Sequence, residues 1–352
     1  MAIQEMIEET HWHPVARGDD VAVQPLAATL LDRALVLWRD AAGEVHAWAD
    51  QCPHRGAKLS MGRVSGGRLE CPYHGWQFGP TGRCQHVPAL PVFEPPATHC
   101  VRAFQAREVY GLVWVKLEAA PGTAAVTVEM AVEIPVFEAE HDGQLRRLNC
   151  GPYDVAASAP RIVENFLDMA HFGFVHEGWL GMRSVPGDDA LSATAIADYQ
   201  VEATEHGLIA TNCRAWQPQS NVHSNAPALV AYRYEVTAPY SAVLTKVLDP
   251  ASLPTSLGAV QYRESIALFI CPITAQTSRV WFRLAVADFN SPDDKLRGFQ
   301  HTIFMQDKPI LESQTPKCLP LDLRNELHTA ADKASSAYRR HLKKLGITFG
   351  VC

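Results

Sequence analysis

No run of about 18 consecutive apolar residues occurs in the 352-residue sequence, so no membrane-spanning helix is expected. Positive charge is scarce: 31 Lys and Arg stand against 38 Asp and Glu, a formal net charge of -7. A nucleic-acid surface, which relies on Lys/Arg patches, is thereby disfavoured. Met1 to Thr10 is acidic and holds no apolar h-region, so no secretory signal is expected and the protein is placed in the cytoplasm. The nine cysteines are an odd number, which argues against a disulfide framework in that compartment. Most of them, such as Cys213 and Cys271, read as ordinary buried thiols. No Gly-x-Gly-x-x-Gly lies between a strand and a helix, so neither NAD nor flavin has an evident site. Internal repeats and low-complexity tracts are also missing.

What is present is ordinary globular composition, 47% hydrophobic and 20% charged, enough for sizeable cores. The length favours two domains. Residues 10–118 read as short strands between turns, including Ala34–Trp38, Glu44–Trp48 and Val109–Val115, and predict a small all-β domain. A small-residue, Pro/Gly-containing stretch from Ala119 to Ala125 reads as a linker, which places the domains at 1–118 and 119–352. The second half mixes strands (Gly207–Cys213, Leu229–Glu235, Glu264–Cys271 and Ser278–Val286) with three helices. One helix covers Arg161 to about Phe172. Another starts with Ser291 as N-cap and Pro292 in the first position. The last runs from about Ala331 to Leu345 and stops at Gly346. The domain is therefore expected to be α+β.

Cys52-Pro53-His54-Arg55-Gly56 is followed by Cys71-Pro72-Tyr73-His74-Gly75-Trp76. Two thiolates and two imidazoles on two loops can hold a Rieske [2Fe–2S] centre, with two Cys on one iron and two His on the other. They can also hold a tetrahedral zinc. Zinc sites more often take a Cys-Cys or His-His pair from each loop. Here each loop offers one Cys and one His, as two different irons require. The nearby Cys84 and His86 fall outside the pattern and read as structural.

Asn165, Asp168 and His171 recur every three residues and would share a face of a continuous helix. His176 lies five residues past His171, about 140° around a regular helix. Both can face one metal only if the helix distorts or ends between them, and Gly173 offers the place. A 2-His-1-carboxylate triad for iron(II) needs one anionic ligand more. Asp307 falls on an apolar stripe with Leu296, Phe299, Ile303 and Ile310, where a carboxylate is costly unless paired or metal-bound. It is assigned as the third ligand. Pro309 is expected to disturb that helix. Read singly, each of these three residues is as well explained as a core histidine, a surface histidine or a paired acid.

The first motif resembles the Rieske domain of aromatic-ring-hydroxylating and demethylating oxygenases, and the Asn165-to-His176 stretch is similar to the iron-binding signature of the same family. The segments Asp307–Gln314 and Ala337–Cys352 resemble the C-terminal regions of methylxanthine N-demethylases and saxitoxin-type alkaloid hydroxylases. The resemblance implies a Rieske [2Fe–2S] domain followed by an antiparallel-sheet, helix-grip (START-like) catalytic domain carrying mononuclear Fe(II). Ala57 and Tyr73 stand where respiratory Rieske proteins have additional, disulfide-forming cysteines, which implies an oxygenase-like, lower-potential cluster. Asp168 becomes a bridge between His171 and His74 of a neighbouring subunit, in a head-to-tail homotrimer. Asn165 is placed near the iron, tuning access to it. The implied function is a terminal oxygenase that takes electrons from a separate NAD(P)H-dependent reductase, with or without a ferredoxin. It would use O2 to hydroxylate a small aromatic or heterocyclic substrate, oxidative N- or O-demethylation included.

Ring cis-dihydroxylation is the alternative within the class, and desaturation or ring closure also fits such an iron. A Rieske electron carrier without oxygenase activity, or a zinc-stabilised binding protein, would leave the His171/His176/Asp307 set without a purpose. The substrate pocket is expected between Trp179 and Arg283. Its aromatics Trp179, Trp216, Tyr232, Tyr234, Tyr240 and Phe269 are each more often core than lining.

Overall fold

The computed structural model describes residues 6–119, 132–183, 194–218, 228–248 and 263–352. The chain divides into two compact units between Ile134 and Pro135, later than the 118/119 boundary expected from composition. Residues just past the expected linker belong to the first unit. Trp12 donates to the Val132 carbonyl at 2.9 Å, and Arg107 pairs with Glu133 at 2.6 Å. Most of the linker itself lies outside the described residues.

The first unit is built from short antiparallel strands. In chain order these are β1 (His13–Arg17), β2 (Leu26–Leu30), β3 (Arg33–Arg39), β4 (Val45–Ala49), β5 (Arg63–Ser65), β6 (Arg68–Glu70), β7 (Gln77–Phe78), β8 (Cys84–His86), β9 (Ala103–Val109) and β10 (Leu112–Ala119). A six-stranded sheet runs β1-β10-β9-β4-β3-β2, and β5 to β8 form a separate four-stranded one. A continuous apolar run drives this: Leu35, Val36, Leu37 and Trp38 of β3 are all fully buried, so both faces of that strand are covered, and Trp48 and Trp114 are buried nearly as completely, each large side chain contributing about 1.5–3 kcal/mol. The expected single strand Val109–Val115 is instead a hairpin. Tyr110 and Gly111 both take positive φ, 59° and 70°, the backbone of a tight two-residue turn between twisted strands.

The second unit is one seven-stranded antiparallel sheet among the described residues. Its strands are β11 (Arg146–Val155), β12 (Gln200–Ala203), β13 (Leu208–Gln217), β14 (Ala228–Ala238), β15 (Ser241–Leu248), β16 (Arg263–Thr274) and β17 (Thr277–Val286), in the order β11-β17-β16-β15-β14-β13-β12. Helices α1 (Ala159–Leu167), α2 (Phe172–Val175), α3 (Asp293–Ser313) and α4 (Lys333–Leu345) complete it. α1 packs on β15 and β16, α3 on β11, and α4 on β12 and β13. This is the expected α+β arrangement, an antiparallel sheet gripped by helices.

Two helix readings are corrected. The first helix begins earlier, capped by the Ser158 side chain with Pro160 in its first turn, and ends at Leu167 because Asp168 is extended (ψ 134°). α3 starts one residue later than expected, with Pro292 rather than Ser291 in the cap position. Ser291 N–H is engaged instead by the Asp288 carboxylate at 2.9 Å. The buried stripe of α3 runs through Leu296, Gln300, Ile303, Phe304, Asp307 and Leu311, whereas Ile310 is largely exposed. Both positions lie within reach of the same helical face, and Leu311 takes the core.

Candidate metal centres

In the first unit, the Cys52 and Cys71 loops are closed by the same turn. Gly56 N–H donates to Cys52 O at 2.8 Å, and Gly75 N–H to Cys71 O at 3.1 Å. Cys52 N–H donates to Ala57 O and Cys71 N–H to Trp76 O, both at 2.8 Å. Gly56 and Gly75 both sit at positive φ, 73° and 68°, a backbone that favours glycine. The second loop spans β6 to β7 and the first follows β4, so each is anchored on a sheet. Both thiols are buried and neither cysteine is in a disulfide. His54 and His74 are exposed, with ring centroids 4.6 Å apart, and Trp76 stacks on His54 at 4.5 Å.

Burial, together with the neighbouring Cys71, pushes the Cys52 thiol up to about 11. Such a thiol pair needs a cationic centre to ionise it. Among the described residues these four side chains do not gather around one point, as three or more ligand atoms of a single zinc would. They stand as a buried sulfur pair and an exposed nitrogen pair. That donor set fits a two-iron cluster.

In the second unit the described residues contain one compact group of potential metal ligands: His171, His176 and Asp307. His171 Nε2 and His176 Nε2 are 3.2 Å apart, and Asp307 Oδ1 lies 3.4 and 3.2 Å from them. Imidazole nitrogens and carboxylate oxygens bind a first-row divalent ion at about 2.0–2.2 Å, so adjacent ligands are separated by roughly 3 Å. The triangle therefore fits one ion held on one face, the arrangement of an oxygen-activating iron site with its other face open.

The local chain explains how the histidines converge. The helix break at Asp168 turns His171 back, and the short α2 carries the chain on to His176 at its C-terminus. Gly173 does not supply the distortion. A Cβ there would come within 3.0 Å of Met182 O and of Thr194 Cγ2, so its role is close approach of the chain. The expectation that Asn165, Asp168 and His171 share one helix face is likewise corrected, since only Asn165 is helical.

Each histidine is oriented through its other nitrogen. His171 Nδ1 lies 3.0 Å from Asp168 Oδ2, and His176 Nδ1 lies 2.9 Å from Gln306 Oε1. This leaves both Nε2 atoms for the ion. Asp168 Oδ1 also accepts from Ala170 N–H at 2.8 Å. Asn165 Nδ2 approaches Asp307 Oδ1 at 3.4 Å, so its contact is with the carboxylate. Burial lowers the pKa of His171, but hydrogen bonds to Asp168 and Asp307 outweigh it and raise it to about 9. Burial raises that of Asp307, and the two histidines outweigh it in the opposite direction. Gln306 was not singled out from sequence, although its place beside Asp307 put it one position from the site.

A cavity opens beside the triad, and His171, His176 and Asp307 all line it. Of the six aromatics named from sequence, Tyr232 and Tyr234 line it and the other four do not. Trp216 is exposed, Phe269 is core, Tyr240 bonds the Phe349 carbonyl, and Trp179 packs on Phe299. Phe299, Gln300, Ile303 and Phe304 of α3 also line it, outside the expected segment.

Residues 11–104 match the Rieske [2Fe–2S] domain, and residues 155–347 match the vanillate O-demethylase oxygenase C-terminal domain. The chain belongs to the Rieske non-haem iron oxygenases. Methylxanthine N1-demethylase NdmA of Pseudomonas putida is 32% identical over 95% of this chain and 88% of its own length. The structure of NdmA from Pseudomonas putida CBB5 superposes with a TM-score of 0.77 at 30% identity, covering 97% of this chain and 91% of that one. Oxidoreductase NdmD of Pseudomonas putida is 39% identical over 118 residues, 33% of this chain and 20% of its own length. This Rieske oxygenase is thus an iron-dependent oxidoreductase, the terminal component that carries the [2Fe–2S] cluster and the mononuclear iron of its family. No helix among its described residues is long and apolar enough to cross a membrane.

Proposed function

We propose that this oxygenase hydroxylates an N- or O-methyl group of a small aromatic or heterocyclic compound, which then leaves as formaldehyde. The observation that carries the reading is the triangle of His171, His176 and Asp307 opening onto an aromatic-lined cavity. Similarity to an N-demethylase and to the vanillate O-demethylase domain supports the same chemistry. In this assignment Cys52, His54, Cys71 and His74 hold the cluster in the N-terminal domain. His171, His176 and Asp307 hold the iron in the C-terminal domain.

When bound, the cluster supplies single electrons, and the iron activates O2 for insertion of one oxygen atom into a C–H bond while the other leaves as water. The chain's own residues orient and exclude. Asp168 and Gln306 fix the tautomers of the two histidines. Asn165 steadies the Asp307 carboxylate. Phe172, Phe282 and Phe304 keep the cavity dry and give a flat ring faces to pack against.

Asp168 keeps part of its carboxylate in solvent, and both cluster histidines are exposed. That supports electron transfer at a surface, from His74 of a neighbouring copy to Asp168, in a head-to-tail trimer. The electron source is a separate NAD(P)H-dependent reductase, with or without a ferredoxin, and the likeness to NdmD supports one. The compartment we assign is the cytoplasm.

The test is turnover with a surrogate reductase, NADH and a panel of N-methyl and O-methyl aromatics, reading O2 consumed against formaldehyde released. Formaldehyde in step with O2 supports the reading. Cluster reoxidation without product from any methylated compound contradicts it.

A further inference from the structure

On the sheet side of the cavity, five polar side chains from four adjacent strands face inward: Gln217 of β13, Tyr232 and Tyr234 of β14, Lys246 of β15 and Glu264 of β16. Tyr232 pairs in register with Lys246, and Lys246 with Glu264. The three therefore stand side by side in one row across the sheet. This row is not needed for the fold, since apolar residues would pack a sheet face at lower cost.

Lys246 is 5% exposed. Its ammonium stands 3.8 Å from a Glu264 carboxylate oxygen, too far for a direct hydrogen bond. Gln217 Nε2 donates to Tyr232 Oη, but Gln217 Oε1 and Tyr234 Oη have no hydrogen-bond partner among the described residues. Buried polar atoms are rarely left unpaired. Here the open valences all face the same cavity, and they include both a donor and acceptors.

The charges decide what can fill the row. Lys246 and Glu264 balance one another. An aromatic carboxylate entering here would meet the ammonium but would also sit against the Glu264 anion. A wholly apolar ring would leave every one of these atoms unpaired. An uncharged edge with a carbonyl next to an N–H satisfies both ends of the pair at once.

We propose that Lys246 and Glu264, flanked by Gln217 and Tyr234, bind an amide-type edge of the substrate ring and select lactam or imide heterocycles over aromatic carboxylates. Lys246 donates to the carbonyl, and Glu264 accepts from the ring N–H. This rests on the cavity being the substrate site of the oxygenase proposed above, and it names the substrate class.

The test is calorimetric binding to the iron-loaded protein of two probes that both carry a methyl group, 1-methyluracil and 3-methoxybenzoate. The wild type is expected to bind the uracil at least about tenfold more tightly than the benzoate. Glu264→Gln, which leaves the ammonium unbalanced, is expected to reverse that order. Lys246→Met is expected to lose the uracil while keeping the cluster spectrum and a cooperative unfolding transition. Tighter benzoate binding by the wild type, no measurable uracil binding, or an order unchanged in a folded Glu264→Gln protein would each overturn the assignment. If a variant fails to fold, the wild-type preference alone still decides. Calorimetry needs no turnover. Uracil binding without formaldehyde release from any substrate would contradict the proposed function and leave this assignment standing. Turnover of the benzoate by a protein that ignores the uracil would do the reverse.

Discussion

Gln306 Oε1 lies 2.9 Å from His176 Nδ1, on the helix turn that also carries Asp307. In the proposed iron centre, one segment of α3 thus supplies both a ligand and the group that aims a second ligand. Loss of such an outer partner typically costs about 10–100-fold in metal affinity. Gln306→Leu is expected to weaken iron binding by that factor with the cluster content unchanged, as read by iron titration of the apo-catalytic site. Unaltered affinity would show that His176 is held by packing alone.

Asp168 is proposed to carry electrons between copies as well as to orient His171. Asp168→Asn keeps an oxygen that can accept from His171 Nδ1–H, so both metals should remain. Electron delivery between copies should fail. Steady-state product is expected to fall by more than the roughly 100-fold upper range for a lost orienting partner, with iron content and the cluster signal at wild-type levels. Loss of the mononuclear iron instead would make Asp168 a support for His171 only.

Stability of the catalytic unit depends on a buried ion network at α1 and α4. Arg339 is 2% exposed, binds Glu164 through two bonds of 2.6 and 2.8 Å, and also bonds Glu326, which Arg161 shares. Replacing Arg339 with Met leaves Glu164 and Glu326 short of a partner, and breaking a buried pair from one side costs about 3–5 kcal/mol. Denaturant unfolding of Arg339→Met should show a loss of that order. A loss below about 1 kcal/mol would mean that the network is effectively solvated.

The same network predicts an acid response. Burial raises the Glu326 carboxyl, but hydrogen bonds from Arg161 and Arg339 outweigh this and lower it from 4.5 to about 2. A depressed carboxyl stabilises the fold fully above the unfolded value. The contribution is lost as pH falls from about 4.5 toward 2. The stability difference between wild type and Glu326→Gln should therefore shrink as pH is lowered through that window. A difference independent of pH would remove Glu326 from the account.

Much of the candidate centres is legible in the sequence because most of their residues lie in short local motifs. Cys52 to Gly56 and Cys71 to Gly75 are two short loops of one design, and His171 and His176 sit five residues apart. Asp307 was readable as a polar residue on an apolar stripe. The hidden parts depend on geometry that composition does not encode. A helix that stops at Leu167 and one that runs on to Phe172 have nearly the same apolar pattern, and only the extended Asp168 separates them. Tyr110-Gly111 interrupts a run of strand-forming residues, so two strands read as one. The Lys246–Glu264 row arises from strand register, which brings together residues distant in sequence. Gln306 carries no signal in the sequence, because its partner His176 is 130 residues away.

The most direct test of the two-centre account is a count of iron and acid-labile sulfide per chain in anaerobically purified protein, with EPR of the reduced cluster, for wild type and Asp307→Ala. The account predicts about three irons and about two sulfides in the wild type, and the loss of one iron with the cluster signal intact in the variant. Two irons and two sulfides in fully loaded wild type would contradict the His171/His176/Asp307 centre, and zinc without sulfide would contradict the cluster as well.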